Sequence, residues 1–149
     1  MKKFKLNNKT IVLASHNNGK IAEFKALFSN YNVKIQTISM FGIKEIEETG
    51  KTFEENALIK VKAVPDGCIG LSDDSGLCIK SLGYSPGIYS ARYAKKQGGW
   101  LEAMEKLYFE AKKKNCFAAT FHCALALKSE SSEISIFKGE VTGKIIWPP

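Results

Sequence analysis

The sequence predicts an α/β protein with a mixed central sheet and flanking helices. Three observations carry this. Short β-branched apolar runs alternate with amphipathic helical segments through the first two thirds of the chain. Two long apolar runs, 116–128 and 134–147, are separated only by "SESSE" and read as antiparallel strands that close the chain. Interspersed helices with late hairpins require a sheet of mixed direction. There is no internal repeat or low-complexity linker, and 149 residues of 44% hydrophobic content predict one domain, 1–149, with a real core.

Each element follows from local pattern. "TIVLAS" (10–15) reads as a buried strand. "KIAEFKALF" (20–28) sets Ile21, Phe24, Leu27 and Phe28 on one helical face. "VKIQTIS" (33–39) alternates as a strand does. Thr52 and Glu55 form a capping box for a helix lined by Phe53, Ala57, Val61 and Val64, which Pro65 stops. "IGLS" (69–72) and "LCIK" (77–80) are expected as two strands around an Asp-Asp-Ser-Gly turn. The glycine-rich stretch 81–99 is expected as loop. "WLEAMEKLYFEAKKK" (100–114) is a helix with Leu101, Met104, Leu107, Tyr108 and Ala111 inward, and its lysines suit the negative end of the helix dipole. In "CFAATFHCALALK", Phe117, Ala119, Phe121, Cys123, Leu125 and Leu127 form the core face, and His122 lies opposite with Ala118, Thr120 and Ala124.

The net charge of +7 tilts the chain toward acidic partners. Its basic clusters (Lys2-Lys3, Lys95-Lys96, Lys112 to Lys114) are scattered and do not interleave with aromatics, so no nucleic-acid partner is expected. Met1 to Lys9 is basic but no long apolar run follows it, so neither signal peptide nor membrane span is read and no membrane partner is expected. Cys68, Cys78, Cys116 and Cys123 include no C-x-x-C pair, which argues against a zinc knuckle and for reduced thiols in a cytoplasmic protein.

Two stretches carry chemistry. "ASHNNGK" (14–20) joins a strand to a helix. Ala14 and Ile21 stand where a G-x-x-x-x-G-K-[ST] loop needs glycine and a hydroxyl, so that motif is rejected. The physics survives: a helix N-terminus favours anions, Ser15 and Asn17 add neutral donors, Gly19 permits close approach and Lys20 adds charge. An ordinary capped turn is the competing reading. In "SDDSG" (72–76), adjacent residues point to opposite faces, so one carboxylate faces a site while the other holds the turn. Such a carboxylate binds a hard cation or orients a water. Glu45, Glu47 and Glu48 of "EIEETG" are candidates to complete an acidic cluster.

Taken together, "SHNNGK" (15–20), "EETGKTFEENALIK" (47–60) and "DDSGLCIKSLGYSPGIYSARYA" (73–94), with "FHC" at 121–123, resemble the inosine triphosphate pyrophosphatase family. These are house-cleaning enzymes that hydrolyse non-standard purine nucleoside triphosphates (ITP, dITP, XTP) to the monophosphate and pyrophosphate. The resemblance runs from about residue 10 to the end of the chain and implies an elongated, two-lobed fold and a homodimer. It implies that Ser15, His16, Asn17, Asn18, Gly19 and Lys20 hold the triphosphate. Lys60 also reaches the phosphates, and Ser75 contacts substrate. Glu47 and Asp74 would hold Mg²⁺. The implied catalytic residues are Asp74, the proton acceptor, and its neighbour Asp73. Arg92 and Tyr93 lie inside the matched block, where either substrate contact or loop packing would explain them.

Three departures bear on these expectations. The connection "KAVPDGCIGLSDD" is shorter than the family's usual one, so the helix from 53 is expected to end early. "KKQGGW" lacks an acidic run common after the matched block. The chain ends at "GKIIWPP", before the family's "GFGYDP" block, a further helix and a "SHR" motif that stack on and recognise the base. The expectation is an open base pocket, weak hydrolysis that treats ITP and GTP much alike, and an uncovered edge on the last hairpin. The alternative function is a catalytically impaired nucleotide-binding remnant.

Overall fold

The computed structural model describes residues 6–149, and the Lys2-Lys3 cluster lies outside them. Along the chain run β1 (Lys9–Leu13), α1 (Asn18–Phe28), β2 (Val33–Thr37), α2 (Phe53–Lys62), β3 (Ile69–Ile79), α3 (Ser90–Gln97), α4 (Trp100–Lys113), β4 (Ala118–Lys128) and β5 (Ile134–Lys144). Short 3₁₀ turns occupy Ile38–Phe41, Lys80–Leu82 and Gly87–Tyr89. The strands form one sheet in the order β2-β1-β3-β4-β5. β1 is parallel to both β2 and β3. β4 and β5 make a hairpin whose turn is closed by the Ser129 N–H on the Glu133 carbonyl. The expected mixed-sheet α/β architecture is therefore present.

The chain divides into two compact units. One comprises Met1–Gly50, Glu54–Asp73 and Leu125–Phe137; the other comprises Lys51–Phe53, Asp74–Ala124 and Lys138–Pro149. β3 passes from the first to the second between Asp73 and Asp74.

In the first unit β1 is buried on both faces, as a central parallel strand must be. Ile11 and Leu13 pack with Phe24, Ile69, Leu71 and Leu127 on one side. Val12 and Ala14 pack with Ile38 and Val64 on the other. Each large aliphatic side chain so buried stabilises by about 1.5–3 kcal/mol. Gly70 allows the chain after α2 to lie close to β3, because a Cβ there would stand 2.9 Å from Val64 Cγ2. Lys128 is buried with its ammonium on the Val64 carbonyl (2.7 Å) and on Asp66 Oδ1 (2.9 Å). In the second unit Ile79, Leu107, Ala111 and Ala119 form the core, with Leu77, Tyr93 and Phe117 against them.

Several sequence expectations are corrected. The Asp-Asp-Ser-Gly stretch is no turn: it lies inside the continuous strand β3. Gly76 is there for space, since a Cβ on it would overlap the Gly87 carbonyl and stand 2.6 Å from Ser90 Oγ. The 81–99 loop contains α3, whose sequence "SARYAKKQ" is rich in good helix formers and ends at Gly98, φ 98°. The early end expected of α2 is observed: the helix stops at Lys62, so Val64 lies past it in a tightened turn with its N–H on the Val61 carbonyl.

Other corrections concern which face is buried. Leu27 is exposed while Phe24 carries the α1 contact. On α4 the buried stripe is Ala103, Leu107 and Ala111, and Leu101 and Met104 are exposed. α3 lies against α4, and Leu107 and Ala111 of the stripe pack in the core with Ile79 and Ala119. On β4, Phe121 is exposed, whereas Ala124 and Ala126, on the face expected to be open, are buried. Small side chains here mark close packing and were misread as a solvent face. β5 is exposed along nearly its whole length.

Candidate active site

The 14–20 turn begins where the Ala14 N–H binds the Leu71 carbonyl at 2.8 Å, fixing the end of β1 against β3. Asn17 is the N-cap of α1. Its Oδ1 accepts from the Gly19 and Lys20 N–H groups at 2.9 and 3.3 Å, and its own N–H donates to Ser15 Oγ at 3.2 Å. Two helix-start donors are thus already satisfied by a side chain. His16 does not face along the helix axis: its Nε2 pairs with the Ile43 carbonyl at 2.9 Å and ties the turn to the segment after β2. Asn18 and Gly19 form the exposed first turn of α1.

Lys20 is where this turn meets the acidic strand. Its Nζ lies 2.9 Å from Glu23 Oε2, one turn along α1, and 3.4 Å from Asp73 Oδ2. Partial burial works to lower the Lys20 pKa, but the Glu23 hydrogen bond and the Asp73 and Glu23 charges outweigh it, and the net shift is upward. The amine is held firmly as an ammonium ion.

Asp73 and Asp74 are both buried, at 5% and 7% exposure, which is costly for carboxylates that have no work to do. As neighbours on a strand they point to opposite faces. Asp73 faces the Lys20 ammonium in the first unit; Asp74 is the first residue of the second. The preceding Ser72 donates to the Ala57 carbonyl at 2.6 Å and pins this part of β3 to α2. Ser75 is half-buried.

The "EETG" segment is built onto α2. Gly50 N–H donates to Oδ1 of the fully buried Asn56 at 2.8 Å. A Cβ on Gly50 would stand 2.6 Å from that oxygen and 2.7 Å from Glu55 Cβ, so only glycine fits. Lys60 Nζ then binds Glu48 Oε1 at 2.7 Å. Glu45 and Glu47 are exposed. Among the described residues, no group of three or more His, Cys, Asp or Glu side chains is gathered to hold a metal ion, so the three-glutamate cluster is not assembled as such. Glu47 and Asp74 offer oxygen ligands of the kind a hard cation takes.

In the second unit Ser90 explains the long matched block. Its Oγ donates to the Gly87 carbonyl at 2.7 Å and accepts from the Leu77 N–H at 3.0 Å, locking "SPGIYSARYA" onto β3 just after Gly76. Tyr93 packs into the core, and the Arg92 guanidinium lies 5.3 Å over the Tyr89 ring. His122 stacks on Phe53, with centroids 5.7 Å apart, and its Nδ1 is 3.6 Å from Glu140.

Sequence reasoning missed Asn56, Ser72, Ser90, Glu23 and the pairing of Glu48 with Lys60. The signal for Asn56 was present, since a helical asparagine beside an inward-facing alanine, Ala57, is out of place unless it holds something.

The Ham1 family model matches residues 11–149. The chain is 40% identical over 153 aligned residues to the dITP/XTP pyrophosphatase of Zymomonas mobilis, covering 99% of this chain and 73% of that protein. It is also 40% identical to the dITP/XTP pyrophosphatase of Bacillus subtilis, over 95% of this chain and 74% of that one. The solved structure of a HAM1 protein from Coxiella burnetii superposes with a TM-score of 0.75 at 36% identity, over 91% of this chain and 72% of the other. The Staphylococcus aureus Ham1 protein gives 0.73 at 38% identity, over 91% and 71%. The turn at 15–20, the acidic strand and the 73–94 block thus sit in a shared sequence and a shared fold, and the chain belongs to the Ham1 family.

Proposed function

We propose that this chain hydrolyses non-standard purine nucleoside triphosphates (ITP, dITP, XTP) to the nucleoside monophosphate and pyrophosphate. The observation that carries it is an ammonium ion, Lys20, fixed at a strand-to-helix turn by the buried Asp73, in a chain 40% identical to a dITP/XTP pyrophosphatase. Phosphoryl transfer asks mainly for positioning and charge neutralisation, and a turn of this kind provides both.

Ser15, Asn17, Asn18, Gly19 and Lys20 receive the triphosphate, and His16 serves the same turn by anchoring it to the Ile43 carbonyl. Lys60 adds a second cation and Ser75 a hydroxyl contact. Asp73 holds Lys20 in place. Asp74 accepts the proton of the attacking water. The water oxygen bonds to the α-phosphorus, the bond from that phosphorus to the bridging oxygen breaks, and its electron pair leaves with pyrophosphate. Glu47 and Asp74 would hold Mg²⁺, which takes one or two carboxylates together with substrate phosphates and retained waters, and so needs no larger protein cage. When bound, that ion supplies charge neutralisation on the phosphate oxygens.

The same reading makes the protein a cytoplasmic homodimer. Among the described residues all four cysteines are free and no helix is long and apolar enough to cross a membrane. Sedimentation measures the dimer directly.

The test of the site is Asp74→Asn. Turnover of dITP with Mg²⁺ is expected to fall about 100-fold or more while circular dichroism stays that of the parent. A variant that turns over at the parent's rate would remove Asp74 from the mechanism.

A further inference from the structure

The three acidic and basic groups around the phosphate turn are not equivalent. Asp73 lies on a buried strand and its side chain is 6% exposed, so it cannot leave Lys20 without exposing or stranding a buried charge. Glu23 is on the outer side of α1 with its side chain 54% exposed, and water replaces its contact at little cost. Meanwhile Asn17 Oδ1 already accepts from the Gly19 and Lys20 N–H groups. The donor at this turn with the strongest pull on an anion is therefore the Lys20 ammonium, and one of its N–H directions is spent on Glu23.

We propose that Glu23 is a displaceable stand-in for a phosphate oxygen: it pairs with Lys20 until substrate binds and is then exchanged for the triphosphate, while Asp73 keeps the ammonium in place. The inference rests on the reading of Lys20 as a phosphate-binding residue. Two effects act in the same direction. The exchange costs the Lys20–Glu23 contact, and the Glu23 carboxylate repels a polyanion arriving beside it. Removing the carboxylate while keeping the side chain's shape relieves both.

The experiment is a cycle of Glu23→Gln, Lys20→Ala and the double variant, each measured in two ways: KM and kcat for dITP with Mg²⁺, and affinity for inorganic tripolyphosphate by calorimetry without added metal. Glu23→Gln is expected to lower KM and tighten tripolyphosphate about two- to fivefold, the scale of an exposed ion pair, with the effect falling on KM rather than kcat. Lys20→Ala is expected to raise KM, and in that background Glu23→Gln is expected to change little. If Lys20→Ala leaves both KM and tripolyphosphate binding unchanged, the phosphate turn itself is misassigned and the proposal falls with it. If Lys20→Ala weakens binding but Glu23→Gln weakens it too or leaves it alone, Glu23 orients the lysine or is a bystander, and only the exchange is refuted. An equal gain from Glu23→Gln with and without Lys20 would mean general charge repulsion, which also refutes the exchange.

Discussion

Glu48 and Lys60 form a 2.7 Å ion pair that joins the "EETG" segment to the last turn of α2, with both side chains largely withdrawn from solvent. The pair ties Lys60 to a segment that Gly50 and Asn56 hold from the other end. Glu48→Gln removes the charge from this contact and leaves the amide in its place. We expect a loss of about 1–2 kcal/mol in urea unfolding, with a raised KM for dITP because Lys60 is less firmly placed. Stability and KM both equal to the parent's would make the pair incidental.

Gly76 and Gly139 are both strand glycines, and the structure separates them. A Cβ at Gly76 meets the Gly87 carbonyl, Ser90 Oγ and Phe53; one at Gly139 meets nothing within 4 Å. Gly76→Ala is expected to cost about 2 kcal/mol or more, whereas Gly139→Ala stays within about 0.5 kcal/mol of the parent. Thermal melts of the two proteins side by side decide it; equal melting temperatures would contradict the close approach at β3.

Lys128 places a buried ammonium on the Val64 carbonyl and Asp66, past the end of α2. Lys128→Met keeps the length of the side chain and removes the donor. The expected cost is about 1.5–3 kcal/mol, that of a hydrogen bond to a charged group. No measurable loss in chemical denaturation would mean that the carbonyl finds water in its place.

The same clamp predicts a pH dependence. Hydrogen bonds from Lys128 and Ser132, then the Lys128 charge, hold the Asp66 carboxyl below its ordinary value of 3.8. A depressed carboxyl stabilises the fold above its unfolded pKa, and that contribution is lost as pH falls through the folded one. Asp66→Asn should therefore melt below the parent at pH 7, and the gap should close as pH drops beneath 3.8. A gap that persists unchanged into stronger acid would rule out ionisation of Asp66 as its source.

Much of the site was legible because its residues are out of place as mere structure. Lys20 after a strand-to-helix turn and two adjacent aspartates in an apolar run both invite a chemical reading, and the structure brings Lys20 and Asp73 together. The pattern at 72–76 misled on conformation: Ser, Asp and Gly favour turns in isolation, but here burial of β3 and the Gly87 contact override that preference. α3 was hidden because flanking glycines read as loop, although Gly98 is simply its C-terminal stop. The solvent and core faces of β4 and α4 were misjudged for one common reason. Alanine counts little in a hydrophobic pattern, yet Ala103, Ala124 and Ala126 are buried, whereas the inward placement of Leu107 and Ala111 on α4 holds. Partners such as Glu48 for Lys60 lie far apart in sequence with no periodicity to announce them.

In the reaction proposed for this chain, water attacks the α-phosphorus of a purine nucleoside triphosphate and Asp74 takes its proton. Hydrolysis of dITP with Mg²⁺ in ¹⁸O-labelled water, followed by ³¹P NMR or mass analysis of the products, tests it most directly. The expected result is one labelled oxygen in dIMP, unlabelled pyrophosphate, and no orthophosphate. Label in pyrophosphate, stepwise release of orthophosphate, or no turnover of dITP at all would contradict it.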